Sequence, residues 1–363
     1  MLTRRSALTG VIASSVLLRS ELSIAQASSA PISLALNENP FGPSPRALQA
    51  IQNELAALSR YNSEAATNQL IDAIAKQERV DREHIVLGEI LEPLGLHLAI
   101  EGGRGSEFVY SVPGYPALVD AASTVGGKAI TVPLDAELRN DLPTLAARVN
   151  ERTRAVFIVN PHNPSGTVND NASFKRFLRE TAQRTLVIVD EAYLEFTDEF
   201  ATRTAVDLTR DGANVVVFRT FAKAYGLGGL DIGYGIVPKP FAKLLRDRGV
   251  GAPRSLNRLA VAGATAAVQD QSFVNEVRKK VRVERGLWHD LFATLRLRHS
   301  QAHGNFVFFD AKRPQAEVRA ALLKQSIEIG RAFPPYDTWA RISIGLPAEN
   351  ARARDALRTS FAP

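Results

Sequence analysis

The sequence predicts an α/β protein built on a mostly parallel, doubly wound sheet, with a second, smaller α/β domain toward the carboxyl end. From residue 58 to about residue 240, short apolar runs rich in β-branched residues alternate with amphipathic helical segments. Such runs are typical of strands buried on both faces of a parallel sheet, and the alternation indicates repeated βαβ units. A long charged helix follows after about residue 250, and the length of 363 residues favours two domains.

The first 27 residues are predicted to be a signal peptide rather than part of the fold. Arg4 and Arg5 precede an apolar stretch at 7–18, and Ala-Gln-Ala at 25–27 offers a cleavage site. The stretch is shorter than the roughly 20 residues that span a bilayer, so no stable membrane insertion is expected. The paired arginines resemble the twin-arginine signal and predict an exported, periplasmic protein. The alternative is a disordered or interfacial helix and a cytoplasmic protein.

The remaining elements follow in chain order. Three prolines and a glycine within 40–45 keep the amino-terminal arm non-helical, and a helical pattern runs from about 46 to 58. Predicted strands of the large domain are 85–87, 107–110, 155–159, 186–189, 214–218 and 232–237. The smaller domain is predicted to contain a helix at 271–297, a strand at 305–310, a helix at 315–325 and a strand at 341–345. The predicted boundaries are an arm at 28–50, a large domain at 51–250 and a small domain at 251–363.

Composition excludes several classes of function. The formal charge of +6 comes from arginines and lysines scattered among acidic residues, without a basic run interleaved with aromatics, so no nucleic-acid partner is predicted. The mild excess of cations favours anionic small substrates. The sequence has no cysteine, which excludes disulfides, thiolate metal sites and cysteine nucleophiles. The histidines lack metal-ligand spacing, so no metal site is predicted.

Polar side chains follow three successive predicted strands of the large domain. They are Asn163, Asp190 and Lys223, and ligands of open parallel sheets lie at the carboxyl ends of strands. A lysine can form a Schiff base with an aldehyde, and an aspartate can pair with a protonated pyridine nitrogen. The Asn163 amide and the Tyr193 hydroxyl can hydrogen-bond a ring phenolate, and Tyr115 can lay its ring on the pyridine face. The pattern therefore predicts a site for a pyridine aldehyde.

These motifs also carry a resemblance that extends over residues 34–360. The chain resembles the class I and II aminotransferases of fold type I, and within them the histidinol-phosphate aminotransferase branch. The resemblance implies a seven-stranded, mostly parallel sheet in the large domain. The matching segments are the proline-rich arm at 37–45, Asn-Pro-Ser-Gly at 163–166, Asp-Glu-Ala-Tyr at 190–193 and the lysine segment at 223–227.

The resemblance implies a cofactor and a set of residues that hold it. The cofactor is pyridoxal 5'-phosphate, carried as a Schiff base on Lys223, with Asp190 as the partner of the pyridine nitrogen. Asn163 and Tyr193 bind the phenolate oxygen. Tyr61 looks like the tyrosine that reaches the cofactor phosphate of the neighbouring subunit, so a homodimer with shared active sites is implied.

The same resemblance implies the substrates and the residues that bind them. The reaction is a transamination between a small-molecule amino donor and a keto acid acceptor. Arg341 looks like the arginine that clamps the substrate carboxylate by paired hydrogen bonds. Arg331 resembles the second anion-binding arginine of the branch. Asn39 of the arm and Asn305 of the small domain complete the implied substrate-binding set.

The sequence departs from the family where the cofactor phosphate is held. The loop after the first large-domain strand contains Gly88 and Glu89 and lacks the usual small polar residues. Ala222 stands where the family has a serine, and Asp231 stands where it has an arginine. An anion in place of a cation beside a phosphate disfavours binding. Thr220 and the Gly88–Glu89 loop remain as predicted phosphate donors.

Three functional hypotheses stay open at this point. Rearranged contacts, with Arg219 as a candidate source of the missing positive charge, would give a working aminotransferase. The same scaffold could instead carry another pyridoxal-phosphate reaction, such as that of a lyase, a decarboxylase or a racemase. A weakened phosphate site would leave a non-catalytic homologue.

Overall fold

The large sheet and the small domain are both seen in a computed structural model, which describes residues 31–361. The predicted signal peptide at 1–27 lies outside the described residues. Within them, the strands are β1 Ile32–Leu34, β2 Ile85–Leu87, β3 Glu107–Val112, β4 Lys128–Pro133, β5 Thr153–Val159, β6 Leu186–Asp190, β7 Val215–Thr220, β8 Gly233–Ile236, β9 Phe306–Asp310, β10 Ile327–Ile329 and β11 Trp339–Ser343.

The helices alternate with the large-sheet strands and then dominate the carboxyl-terminal third. They are α1 Pro45–Glu54, α2 Glu64–Glu78, α3 Leu91–Gly102, α4 Ala117–Thr124, α5 Leu142–Ala147, α6 Asn171–Ala182, α7 Phe200–Arg203, α8 Val206–Arg210, α9 Lys239–Asp247, α10 Arg258–Gln269, α11 Gln271–Thr294, α12 Gln315–Leu323 and α13 Pro347–Ser360. No helix within residues 31–361 is long and apolar enough to cross a bilayer.

The predicted fold class is confirmed by a seven-stranded sheet in the order β2-β8-β7-β6-β5-β3-β4. Strands β4, β3, β5, β6 and β7 run parallel, and β8 is antiparallel to both of its neighbours. All six strands predicted for this sheet are present, with ends that differ by a few residues. The seventh, β4, was missed because it is an edge strand whose residues are mostly exposed, so it lacks the apolar run that identifies a buried strand.

Both faces of the central strands are buried, which explains their continuous apolar sequences. In β5, Val156 and Ile158 pack into one core while Ala155, Phe157 and Val159 pack into a second core on the opposite face. Strands β6 and β7 divide their residues between the same two cores. Successive side chains of a strand point to opposite faces, so a strand covered on both sides must be apolar throughout.

The smaller domain contains two short sheets beside the long helix α11. Strand β11 pairs antiparallel with β9, and β1 pairs in parallel with β10. The amino-terminal arm is thus joined to the predicted small domain through β1. Helix α10, which lies after the predicted boundary at 250, packs against α1 and α2. The predicted domain boundaries remain predictions.

Candidate active site

A cavity of about 220 Å³ lies at the carboxyl ends of β6 and β7. Four of its residues, Lys223, Asp190, Tyr115 and Tyr193, are among those that the sequence predicted for the ring of a cofactor. The cavity is lined by Glu89, Tyr115, Asp190, Ala192, Tyr193, Phe218, Thr220, Ala222, Lys223, Gly228 and Asp231. The strand-end positions therefore bring an amine, a carboxyl and a phenol to one space, as expected for an open parallel sheet.

Asp190 ends β6 and is 2% exposed. One carboxyl oxygen accepts a hydrogen bond from the backbone N–H of Ala192 at 2.9 Å. The pKa of Asp190 is raised from 3.8 to about 7, mainly by burial; the Ala192 hydrogen bond and Lys223 oppose this rise, and the nearby Glu89 adds to it. A protonated ring nitrogen beside this carboxyl would restore its ionised form, so the position fits a pyridinium partner.

Lys223 lies in the turn after β7, and its Nζ donates a hydrogen bond to the carbonyl of Leu36 at 3.1 Å. The same atom lies 6.0 Å from the centroid of the Tyr193 ring. The amine thus lies in the cavity with a neutral carbonyl partner from the amino-terminal arm. A lysine held in this way is placed to react with an aldehyde that enters the cavity.

Tyr193 marks the side of the cavity that is predicted to hold the ring oxygen. Its hydroxyl accepts hydrogen bonds from the side-chain amides of Asn37, at 3.2 Å, and Asn163, at 3.4 Å. Asn163 is buried but does not itself line the cavity, so it acts on the space through Tyr193. Asn37 was missed by the sequence analysis. The only local signal was its place in the arm motif, and its contact with Tyr193 joins residues 156 apart.

Arg341, on β11, is buried beside the same cluster. It donates to Asn163 Oδ1 and to the carbonyl of Ala35, both at 2.6 Å. Burial lowers its pKa, and its guanidinium lies over the rings of Phe306 and Phe333. Within residues 31–361 its Nε has no hydrogen-bond partner. Two protein acceptors hold the guanidinium in place, so an anion would bind through the remaining hydrogens of its two Nη atoms.

Arg331 and Arg341 together line a second cavity of about 610 Å³, next to the arm. Arg331 is exposed, donates to the carbonyl of Ala332 at 3.0 Å, and lies 4.5 Å from the centroid of the Phe333 ring. Exposed Leu36 lines the same cavity. This space could accept the remote part of a substrate that carries an anionic group.

Three other predicted residues lie outside the cofactor-sized cavity. Asn305 donates to the carbonyls of Asn37 and Glu38, and Asn39 donates to the carbonyl of Ala224 at 3.0 Å, so both hold the arm against the site. Tyr61 is on the surface of the protomer, 80% exposed. Their predicted contacts with substrate or with a partner's cofactor remain predictions.

The end of the cavity predicted for the phosphate is acidic. Thr220 donates its hydroxyl hydrogen to Glu89 Oε1 at 2.8 Å, and Asp231 lines the same region. Burial raises the pKa of Glu89 to about 7; the Thr220 bond lowers it and Asp231 raises it. The N–H of Gly88 donates to the carbonyl of Gly233 at 2.8 Å and is not free to bind an anion.

The suggestion that Arg219 supplies the missing positive charge is wrong. Thr220 faces the cavity, so Arg219, its neighbour on β7, points to the opposite face of the sheet. There it is fully buried and paired with Glu191 at 2.8 Å and with Glu78 at 3.2 Å. Glu195 lies 3.7 Å away in the same cluster. This cation is committed to buried carboxylates and does not reach the cavity.

Comparisons with known proteins agree with this geometry. The sequence model of the family described as "Aminotransferase class I and II" matches residues 29–357. A histidinol-phosphate aminotransferase of Moorella thermoacetica is 35% identical over 91% of this chain and 86% of its own length. Histidinol-phosphate aminotransferase 2 of Pseudomonas fluorescens Pf-5 is 36% identical over 90% of this chain and 88% of its own.

A solved structure is similar over the same range. The histidinol-phosphate aminotransferase of Sinorhizobium meliloti, in complex with pyridoxal-5'-phosphate, superposes with a TM-score of 0.83. It is 28% identical and covers 91% of this chain and 90% of its own.

Proposed function

The chain belongs to the class I and II aminotransferases, and from this membership we propose that it transfers an amino group between an amine substrate and a keto acid, with pyridoxal 5'-phosphate bound in the 220 Å³ cavity. The observation that carries the proposal is that Lys223, Asp190 and Tyr193 line this one space. Their chemistry matches the aldehyde, the ring nitrogen and the ring oxygen of that cofactor.

The bound cofactor supplies an electron sink that stabilises negative charge at the substrate's α-carbon. Lys223 Nζ would hold the cofactor aldehyde, and its amine is placed to move a proton at the substrate's α-carbon. Asp190 would keep the ring nitrogen protonated, because a buried carboxylate is stabilised by a cation beside it. Tyr193, whose hydroxyl is hydrogen-bonded to Asn163, would hold the ring oxygen, and Tyr115 would pack against the ring.

Arg341 is proposed to orient the substrate by binding its anionic group with two parallel hydrogen bonds. Arg331 is proposed to bind a second or more distant anion at the neighbouring cavity. The relatives are named for histidinol phosphate, an amine with an anionic group. Two arginines beside one cavity support a substrate of that class, and histidinol phosphate with 2-oxoglutarate, the keto acid that becomes glutamate, is the first pair to assay.

We also propose a homodimer and an exported location. Tyr61 is 80% exposed and lies close in sequence to exposed Leu55 and Leu58. Three large exposed side chains within one short segment support burial against a second copy, where Tyr61 would reach the neighbouring cofactor phosphate. Export rests on the arginine pair and apolar stretch of residues 1–27 alone.

The decisive experiment combines spectroscopy with chemical trapping. The purified protein is expected to show the visible absorbance of a lysine-bound pyridoxal cofactor, and borohydride reduction should fix the label on Lys223. Keto acid should form only when an amino acceptor is supplied, which separates transamination from lyase, decarboxylase and racemase reactions. Absence of bound cofactor, even after adding pyridoxal phosphate, would instead support a non-catalytic homologue.

A further inference from the structure

We propose that the side chain of Glu89 is an internal anion that occupies the phosphate subsite of the cavity. Glu89 then competes with the cofactor phosphate for the same donor and weakens cofactor binding selectively through the phosphate. The inference rests on the proposed function, since it assumes that the cavity binds a pyridoxal cofactor through Lys223.

The first step is the position of the carboxylate. Glu89 lies between β2 and α3, in the loop where the family binds phosphate, and its side chain turns into the cavity. Its Oε1 accepts the hydroxyl hydrogen of Thr220, a residue 131 positions away. Gly233 leaves room for this, because a β-carbon at that position would lie 2.9 Å from Glu89 Oε1. A carboxylate thus holds the hydroxyl donor that a phosphate would use.

The second step is that the other side-chain hydroxyl is missing and the N–H of Gly88 is already bonded. Ala222 has no hydroxyl, and the N–H of Gly88 is bonded to the carbonyl of Gly233. Thr220 Oγ1 accepts the N–H of Ala222 at 3.0 Å, so its own hydrogen is its remaining donor, and that hydrogen points to Glu89. A phosphate can therefore use the Thr220 hydroxyl only if Glu89 moves away or becomes a neutral donor.

The third step is charge. Among the residues that line the cavity, Lys223 is the one cation, and it is committed to the aldehyde; Glu89, Asp190 and Asp231 are acids. Like charges brought together in a partly buried space repel more strongly than in water. The charged and titratable groups near Glu89 are Asp231 before β8, Lys223 after β7, Asp190 at the end of β6, Tyr115 before α4 and, exposed to solvent on α3, Glu92. Only one of these is a cation, so an ionised Glu89 leaves the phosphate without a counter-charge.

The test compares two aldehydes that differ only in the phosphate. Pyridoxal phosphate and pyridoxal are titrated into cofactor-free full-length protein, with the absorbance change and borohydride-trapped label on Lys223 as readouts. The variants are Glu89→Gln, which keeps the Thr220 bond but removes the charge, Glu89→Ser, and the matched control Glu92→Gln. Glu92 is exposed on α3 and does not line the cavity.

Glu89→Gln is expected to lower the dissociation constant of pyridoxal phosphate by about tenfold or more, on the scale of one charge interaction in a protein. The constant for pyridoxal should stay within about twofold, and Glu92→Gln should change neither. Unchanged phosphate affinity in both Glu89 variants, or equal tightening of the two aldehydes, would overturn the inference alone. No trapped label on Lys223 with either aldehyde in any variant would overturn the proposed function and the inference with it.

Discussion

Replacing Asp190 with asparagine should stabilise the cofactor-free protein while removing the proposed partner of the cofactor's ring nitrogen. Asp190 is 2% exposed, and burial raises its pKa from 3.8 to about 7. Asparagine has nearly the same shape, and its Oδ1 can still accept the N–H of Ala192. The substitution therefore removes a buried titratable group with little change in packing.

The magnitude follows from the two pKa values of Asp190. The pKa of about 7 in the folded state exceeds 3.8 by about three units, and each unit corresponds to 1.36 kcal/mol. Ionisation of Asp190 can therefore lower the free energy of unfolding by at most about 4 kcal/mol. Because the pKa of Asp190 is higher in the folded state, Asp190 ionises at a lower pH in the unfolded chain than in the folded protein. Asp190 therefore costs stability progressively as the pH rises from about 4 to 7, and the cost is constant above that range.

The assay is urea denaturation of cofactor-free wild type and Asp190→Asn at several pH values between 4 and 8. The free energy of unfolding of the variant should exceed that of wild type by about 2 to 4 kcal/mol at pH 8 and should equal it near pH 4. Asp290→Asn, on the exposed side of α11, is the matched control and should follow wild type throughout. If the difference in unfolding free energy between Asp190→Asn and wild type did not change with pH across this range, the reasoning would be refuted.

Four further predictions concern the remaining parts of the site. Lys223→Ala should abolish the borohydride-trapped label and lower kcat by several orders of magnitude. Arg341→Lys should raise KM for the amine substrate about ten- to a hundredfold in steady-state kinetics, because an ammonium cannot form the paired hydrogen bonds of a guanidinium. The gain in pyridoxal-phosphate affinity from Glu89→Gln should be full above pH 7 and vanish below it, since burial raises the pKa of Glu89 to about 7 and its protonated form resembles glutamine. Arg219→Met should cost about 3 to 5 kcal/mol in urea denaturation, because it leaves Glu191 and its neighbours buried without their cation.

Each of these predictions has an outcome that contradicts it. A reducible label that survives in Lys223→Ala would place the reactive amine elsewhere. An unchanged KM in Arg341→Lys would separate that arginine from the substrate anion. If Glu89→Gln increased the affinity for pyridoxal phosphate equally at every pH, Glu89 would not titrate within the pH range of the binding experiment. Unaltered stability in Arg219→Met would show that the buried carboxylates protonate at little cost.

The sequence allowed the strand-end residues of the site to be predicted because parallel topology brings them to one edge. Asp190 and Lys223 follow β6 and β7, and both line the cavity. Three short or exposed strands, β1, β4 and β10, could not be identified, since none has a continuous apolar run.

Contacts between residues that are far apart in the sequence were the main features of the site that could not be predicted. The bond between Asn37 and Tyr193 depends on how the arm crosses the sheet edge, and no local pattern encodes it. The incorrect prediction that Arg219 supplies charge to the phosphate site had another cause. Alternation along β7 already placed it on the face opposite Thr220, so the sequence contained the information needed to exclude it.

Residues 35–37 of the amino-terminal arm contact the proposed catalytic groups directly. Carbonyls of Ala35 and Leu36 receive the hydrogen bonds of Arg341 and Lys223, and Asn37 bonds Tyr193. A protein trimmed beyond residue 37 would lose all three contacts at once, although β1 is not a strand of the seven-stranded sheet. Affinity tags and fusion partners therefore belong at the carboxyl end, where the last helix ends at Ser360.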